Sequence, residues 1–317
     1  MAQQPLARRE RGERVADRVR PADVAQEWPH RPRALGVEAL LADGRGRYAD
    51  GVLHHIFSDL KATNRFYVEL GTSNASQSIS RRLRQVCGWT GLLLDAAHED
   101  ASINLQRARA TRENVVELLD KHHVPREPDL LTIDLGGPDF HVLAELLRDR
   151  LYRPRVLLVA TAFALGEHVD MVRVYHPASS ASSATRDAHG CYSSASTLAF
   201  SRLASWHQYT VVAAVSPFLV WVRDDALRSG HKLHHYTHAN DVGALRAEAL
   251  ATARNHSRAS GRSLKAVSAP PLSSLGDAEQ QQQALCTRTF GTLGFQTSEE
   301  VIHRAKGAPE APMYKIA

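Results

Sequence analysis

Cysteine is scarce in this chain of 317 residues, which contains only Cys87, Cys191 and Cys286. Three widely separated cysteines suit neither a disulfide framework nor a zinc site built from cysteine. The sequence therefore predicts a protein of a reducing compartment or one that does not depend on its cysteines, and a cytoplasmic location is expected. Long apolar runs are absent as well, since none approaches the ~18 residues that a membrane-spanning helix requires. No membrane span is predicted.

Aromatic residues are also few, at 6% of the chain, and the net charge of +5 is modest. Much of the positive excess lies in residues 1–33, which carry eight arginines against five acids. Nucleic-acid binders usually concentrate positive charge on a folded face and interleave aromatic residues, so no clear nucleic-acid partner is predicted. We interpret residues 1–48 as a basic, partly disordered N-terminal arm, with binding of an anionic partner as the alternative.

Two common catalytic motifs are missing. No G-x-S-x-G elbow follows a strand-like run, which argues against a serine hydrolase of that type. No G-x-x-x-x-G-K-[ST] loop is present, which excludes a P-loop nucleotide site. Four histidines at helical spacing could hold zinc, but a solvated histidine-rich linker is the interpretation we favour, and no metal is predicted. These histidines are His231, His234, His235 and His238.

Short apolar runs alternate with helix-like segments through the middle of the chain. The strand-like runs are 66–70, 90–96, 129–135 and 155–161, and the helix-like segments are 49–60, 76–88, 101–123 and 140–151. This alternation predicts βαβ units and a parallel sheet. The runs lack polar alternation, as expected when helices cover both faces of the sheet.

A different pattern closes this region. A helix-like segment, 194–206, precedes two strand-like runs, 209–215 and 218–225, whose short connection requires an antiparallel pair. The predicted fold is α/β, a Rossmann-like, mostly parallel sheet with a C-terminal antiparallel hairpin, the outline of a class I methyltransferase domain. We assign residues 49–228 to this domain. Residues 229–317 are predicted to be a helical segment and a low-complexity tail.

The first strand and its turn carry the strongest chemical signal. Glu69 stands at the end of a buried run, and Gly71 follows where the backbone must approach a cofactor closely. The loop lacks the full G-x-G-x-x-G, which weakens a dinucleotide interpretation, and an ordinary βα turn remains open. The second run ends at Asp95, at a distance from Gly71 that suits recognition of ribose hydroxyls. A helix N-cap is the alternative role for Asp95.

Four strings together resemble the FkbM-like family of S-adenosylmethionine-dependent methyltransferases. They are FYVELGTSN (66–74), GWTGLLLD (88–95), EN (113–114) and PDLLTID (128–134). The resemblance covers about residues 62–225. It implies S-adenosyl-L-methionine as the cofactor and methylation of a hydroxyl on a sugar or natural product, so the expected partner is a small-molecule or glycan acceptor. The cofactor-binding residues that we assign on these motifs are Glu69, Gly71, Ser73, Asn74, Asp95 and Asn114.

Asp134 ends the third strand-like run and, by the same resemblance, faces the transferred methyl group. It is the best candidate for a general base, with Asp139 and His141 close enough in sequence to assist. The chain departs from the family pattern at Gly136, where an acid is usual, and after the next strand, where alanines at 160 and 162 replace polar groups. A catalytically degenerate protein that acts in binding or scaffolding is therefore the alternative function.

Overall fold

A single seven-stranded sheet organises the computed structural model, which describes residues 49–72, 74–76, 78–162, 165, 167–175, 195–215, 217–228, 240–241, 243–245, 247 and 295–304. The strand order is β3-β2-β1-β4-β5-β8-β7. All neighbours are parallel except β8, which is antiparallel to both β5 and β7. Its strands are β1 (Phe66–Leu70), β2 (Thr90–Asp95), β3 (Leu105–Arg107), β4 (Leu130–Ile133), β5 (Val156–Ala160), β7 (Tyr209–Val215) and β8 (Phe218–Arg223).

Helices cover both faces of this sheet. One apolar cluster joins Val68 and Leu131 to the helices α3, α4, α5 and α7, and the other joins Tyr67 and Leu130 to α1 and α2. The α/β class, the mostly parallel sheet and the closing hairpin are thereby confirmed, and the arrangement is consistent with a Rossmann-like fold. The helices are α1 (Ala49–Leu60), α2 (Arg81–Gln85), α3 (Val115–Lys121), α4 (Asp139–Leu147), α5 (Thr197–Trp206), α6 (Asp224–Arg228) and α7 (Ser298–Arg304).

Two predicted helices are shorter than their sequence patterns indicate. The region 101–123 is not one helix, because Leu105 pairs with Leu93 of β2 and starts the edge strand β3. Asn104 makes the turn into β3 with φ +52°, and its Nδ2 donates to the carbonyl of Gly91 at 2.7 Å. Among the described residues of the region 76–88, the helix is confined to the five residues of α2. Local side-chain bonding to the sheet outweighs helical spacing in both places.

A segment beyond residue 228, residues 295–304, also packs against the described elements. A two-stranded sheet pairs β6 (Val172–Arg173) antiparallel with β9 (Phe295–Gln296). Helix α7 follows β9, and its Val301 and Ile302 are buried in one of the two apolar clusters. The prediction of a domain over residues 49–228 did not include this segment, which is short and follows a polar, glutamine-rich stretch in the sequence. The predicted arm at 1–48 and the four histidines of 231–238 lie outside the described residues.

A buried ion pair fixes the amino-terminal edge of the sheet. Asp129, which is fully buried, accepts hydrogen bonds from the amides of Thr63, Asn64 and Arg65. Arg155 Nη1 donates to the same carboxylate at 2.8 Å and to the carbonyl of Lys61 at 2.7 Å. The connection from α1 to β1 is thus tied to β4 and β5, which sets the register of the strands that lead to the opposite edge.

Candidate functional site

The carboxyl ends of β1, β2 and β4 are joined by backbone hydrogen bonds. The Gly71 amide donates to the carbonyl of Leu94, and the Asp134 amide donates to the carbonyl of Leu70, each at 2.9 Å. From β1 the chain first adds β2 and β3 on one side of this strand, and then adds β4 and β5 on its opposite side. The strand order therefore reverses between β1 and β4. Open α/β sheets bind ligands in the crevice at this point. This edge is the candidate site.

Gly71 has the backbone that a close approach requires. Its φ of +86° is a left-handed conformation that favours glycine. A β-carbon at this position would lie 2.0 Å from the carbonyl oxygen of Asp134, which is an impossible contact. The tips of β1 and β4 therefore meet without an intervening side chain, and the sequence-based emphasis on Gly71 has a structural reason.

Glu69 is buried and anchors the loop before α2. Its carboxylate accepts hydrogen bonds from the amides of Ile79 and Ser80, at 2.9 and 3.0 Å, and from Ser80 Oγ at 2.7 Å. These bonds explain why α2 starts only after Ser80. In the structure the carboxylate of Glu69 holds the loop before α2. Its contact with a cofactor stays a prediction.

Asp95 is the last residue of β2. It lies on the same face of the sheet as Glu69, because Leu93 is the sheet partner of Glu69 and side chains alternate along a strand. Its Oδ1 accepts from the amides of Ala97 and His98 and contacts His98 Nδ1 at 2.7 Å. Burial alone would raise the pKa of Asp95, but these hydrogen bonds outweigh burial and lower it. The carboxylate is ionised at neutral pH, and within the described part of the chain Oδ2 receives no hydrogen bond.

Asp134 and Asp139 have different surroundings although they bound the same loop. Asp134 is partly exposed at the tip of β4. Asp139 is completely buried, and its carboxylate accepts from the amides of Leu135 and Gly137 at 2.8 and 2.7 Å. Burial, together with the charge of Asp134, raises the pKa of Asp139 to about 6. Asp139 therefore holds the β4–α4 loop in shape, and Asp134 is the more accessible of the two acids.

His141 supports a wall of the site that the sequence did not reveal. Its Nε2 donates to the carbonyl of Arg173 at 2.8 Å, and its ring lies 5.1 Å from the ring of Tyr175. The Tyr175 hydroxyl donates to the carboxylate of Glu113 and accepts from the amide of Arg112. Burial and the bond to Glu113 raise the pKa of Tyr175. Residues 172–175 thus connect α4 to the turn before α3.

The remaining predicted cofactor residues are bound locally or fall outside the described chain. Asn114 uses both ends of its amide in the turn before α3, accepting from the Thr111 amide at 2.8 Å and donating to the Arg109 carbonyl at 2.9 Å. Asn74 is exposed and accepts from the Ser76 amide at 3.1 Å. Ser73 lies outside the described residues. None of these contacts tests a role in cofactor binding.

Arg173 and Tyr175 are the residues of this edge that sequence reasoning missed. They lie in a stretch, 161–190, that its serine and alanine content marks as a passive or lid-like loop. The signal was the alternation in MVRVY (171–175), which has the period of a strand. It was too short to stand out, and its partner strand β9 is more than 120 residues away in sequence.

The assembled edge has a cradle of backbone at Gly71, an ionised acid at Asp95 and a second, partly exposed acid at Asp134. Such a set can hold a ligand with hydroxyls and a positive charge, and can accept a proton beside it.

No group of three or more metal-ligating side chains occurs in the chain segments that the structure describes. There, too, no helix is long and apolar enough to cross a membrane. No known family model matches this chain, and no curated protein matches it either.

Proposed function

We propose that this protein is an S-adenosylmethionine-dependent methyltransferase of the class I type, FkbM-like in its motifs, that methylates a hydroxyl on a sugar or natural product. The observation that carries the proposal is the backbone contact between Gly71 and Asp134 at the reversal point of the sheet. The strand order, with β8 antiparallel between β5 and β7, supports the same conclusion, because it has the outline expected of this class.

The residues present fit the cofactor. Gly71 lets the tips of β1 and β4 meet with no side chain between them, and Asp95 would accept hydrogen bonds from the ribose hydroxyls through Oδ2. A cationic sulfonium is matched by the acidic side chains of this edge. When bound, S-adenosylmethionine would supply an electrophilic methyl group, and the protein would supply orientation and a proton acceptor.

Asp134 is the residue that we assign to proton transfer. It follows β4 directly, so the sheet fixes its backbone, and its amide is bonded to Leu70 of the neighbouring strand. An acceptor hydroxyl next to Asp134 would lose its proton to the carboxylate as the methyl group is transferred in line. Asp139 would act on this step indirectly, because it holds the loop on which Asp134 lies.

A catalytically degenerate, cofactor-binding protein is the second candidate, and one observation favours it. Asp139 and His141 are both predicted to assist catalysis. The carboxylate of Asp139 instead accepts from amides of the loop 135–137, and His141 Nε2 donates to the Arg173 carbonyl. Gly136 adds no acid to the same loop. Under this alternative the cofactor binds and no methyl group is transferred.

Calorimetry with S-adenosylmethionine and S-adenosylhomocysteine, followed by turnover assays on a panel of hydroxylated acceptors, tests both candidates. Binding with turnover that Asp134→Asn abolishes, at unchanged cofactor affinity, supports the methyltransferase. Binding of both nucleosides with no turnover on any acceptor supports the degenerate protein. Absence of binding eliminates both. Glu145→Gln, a change at the far end of α4, is the control for nonspecific effects of removing an acid.

A further inference from the structure

The guanidinium of Arg173 lies beside the loop that follows Asp134. A β-carbon added to Gly137 would come within 3.0 Å of Arg173 Nη1, so this group occupies the space that glycine leaves open. Gly137 is three residues beyond Asp134 and is held through its amide by Asp139. A cation is therefore placed at the same edge of the sheet as the acids of the candidate site.

The backbone that carries Arg173 is fixed on several sides. Val172 is fully buried, and the Arg173 carbonyl accepts from His141 Nε2. Pairing with β9 holds the strand from its other side. Two residues before the strand, the Asp170 carboxylate accepts from the amide and hydroxyl of Ser298 at 3.2 and 3.0 Å. An arginine on a loose surface loop would have none of these supports.

The location of this charge constrains what the cleft can bind. Asp95 and Asp134 suit a ligand with a positive centre, whereas a guanidinium at the same edge of the sheet opposes such a ligand. The opposition disappears if the ligand also carries an anion, and a guanidinium binds carboxylate and phosphate groups with paired hydrogen bonds. Tyr175 and His141 beside it would limit access of water to that contact.

We propose that Arg173 binds an oxyanion, a carboxylate or a phosphate, on a molecule held in the cleft. This inference rests on the proposed function for the identity of the cleft. Two sources of the anion share this chemistry: the carboxylate of the cofactor's methionine part, and an acidic group on the methyl acceptor.

The first experiment separates these sources with two nucleosides. S-adenosylhomocysteine has the amino-acid carboxylate, and 5′-methylthioadenosine lacks it. If Arg173 binds the cofactor carboxylate, Arg173→Met weakens S-adenosylhomocysteine about 10–100-fold and leaves 5′-methylthioadenosine unchanged, since charge-assisted hydrogen bonds are lost only with the first. Arg148→Gln, at the end of α4, should change neither affinity.

The second experiment tests the acceptor as the source. The full chain saturated with S-adenosylhomocysteine is titrated with inorganic phosphate. Weak binding to the parent that Arg173→Met abolishes assigns the anion to the acceptor. Gly137→Ala, which displaces the guanidinium without removing its charge, should weaken the same binding by a smaller factor. If neither carboxylate recognition nor phosphate binding depends on Arg173, the inference is wrong.

Failure of the proposed function remains distinguishable from failure of this inference. A parent protein that binds no adenosyl ligand contradicts the proposed function. Phosphate titration of the unliganded chain then decides the anion site by itself: loss of binding in Arg173→Met supports it, and equal behaviour of the two proteins overturns it. Unfolding midpoints of Arg173→Met and Gly137→Ala near that of the parent show that the variants fold.

Discussion

Gly71 and Asp134 are in direct backbone contact at the tips of two adjacent parallel strands, with no space for a β-carbon between them. This contact brings the turn after β1 together with Asp134, the predicted base after β4. It lies at the point where the strand order of the sheet reverses. The pairing of β1 with β4 sets the distance between the two residues, although they are far apart in sequence.

Gly71→Ala should lose both stability and cofactor binding. Alanine in a left-handed conformation costs roughly 1–2 kcal/mol, and the 2.0 Å approach to the Asp134 carbonyl would force the strand tips apart. Urea unfolding and calorimetry measure the two effects. Gly88→Ala is the matched control, because Gly88 also has a positive φ, +67°, but nothing lies within 4 Å of its β-carbon position. Equal costs for the two variants would contradict the importance of the contact.

Asp95→Ala should weaken adenosyl-ligand binding ~10–100-fold, because a pair of charge-assisted hydrogen bonds to ribose is worth on the order of 1.5–3 kcal/mol. Calorimetric titration with S-adenosylhomocysteine gives the ratio of affinities. Asp100→Ala is a suitable comparison, since Asp100 also bonds a nearby amide, that of Ser102, but lies outside the strand tips. An Asp95→Ala protein that binds as tightly as the parent removes the ribose assignment.

Asp139 should make the protein less stable as pH rises from about 4 to 6. Its pKa is about 6 in the fold against 3.8 for a solvent-exposed aspartate, so the folded state holds the extra proton in this range. The contribution is most favourable below pH 4 and is lost through pH 6, by about 3 kcal/mol at ~1.4 kcal/mol per pKa unit. The asparagine of Asp139→Asn does not titrate, so this variant does not have that loss. The free energy of unfolding of the variant minus that of the parent should therefore be larger at pH 7 than at pH 4. A difference that does not vary with pH would refute the raised pKa.

Arg155→Met should destabilise the fold by about 3–5 kcal/mol, because it leaves the buried Asp129 carboxylate without its countercharge. The amides of residues 63–65 would still bind Asp129, so the chain should remain folded and its urea midpoint measurable. Arg107→Gln breaks an exposed pair with Glu99 and should cost less than about 1 kcal/mol. Similar losses for both variants would show that the Asp129–Arg155 pair is not the anchor we describe.

Much of the fold follows from sequence pattern. The bounds of α1, β1 and β7 agree with the predicted segments 49–60, 66–70 and 209–215. The two strands are nearly continuous buried runs, and α1 buries its apolar residues at helical spacing. Pattern failed where a side chain bonds to distant backbone. Glu69 delays the start of α2, and Asn104 turns the chain into β3. Such bonds depend on the assembled sheet and have no local periodicity.

For the candidate site, residue type and position at a strand end identified Gly71, Asp95 and Asp134. The same reasoning could not assign roles to Asp139 and His141, because a carboxylate or imidazole looks identical in sequence whether it faces a ligand or a loop amide. Arg173 was missed for another reason: its strand exists only through pairing with a segment near the other end of the chain. Burial and partners decide these cases, and both are properties of three-dimensional packing.

The pairing of β6 with β9 means that the outer wall of the cleft is a joint product of two stretches encoded far apart. A chain that ended between residues 229 and 294 would keep β1, β2 and β4 but would lack β9, the strand that pairs with β6. Such a fragment would leave Arg173 held by the bond from His141 but without its partner strand.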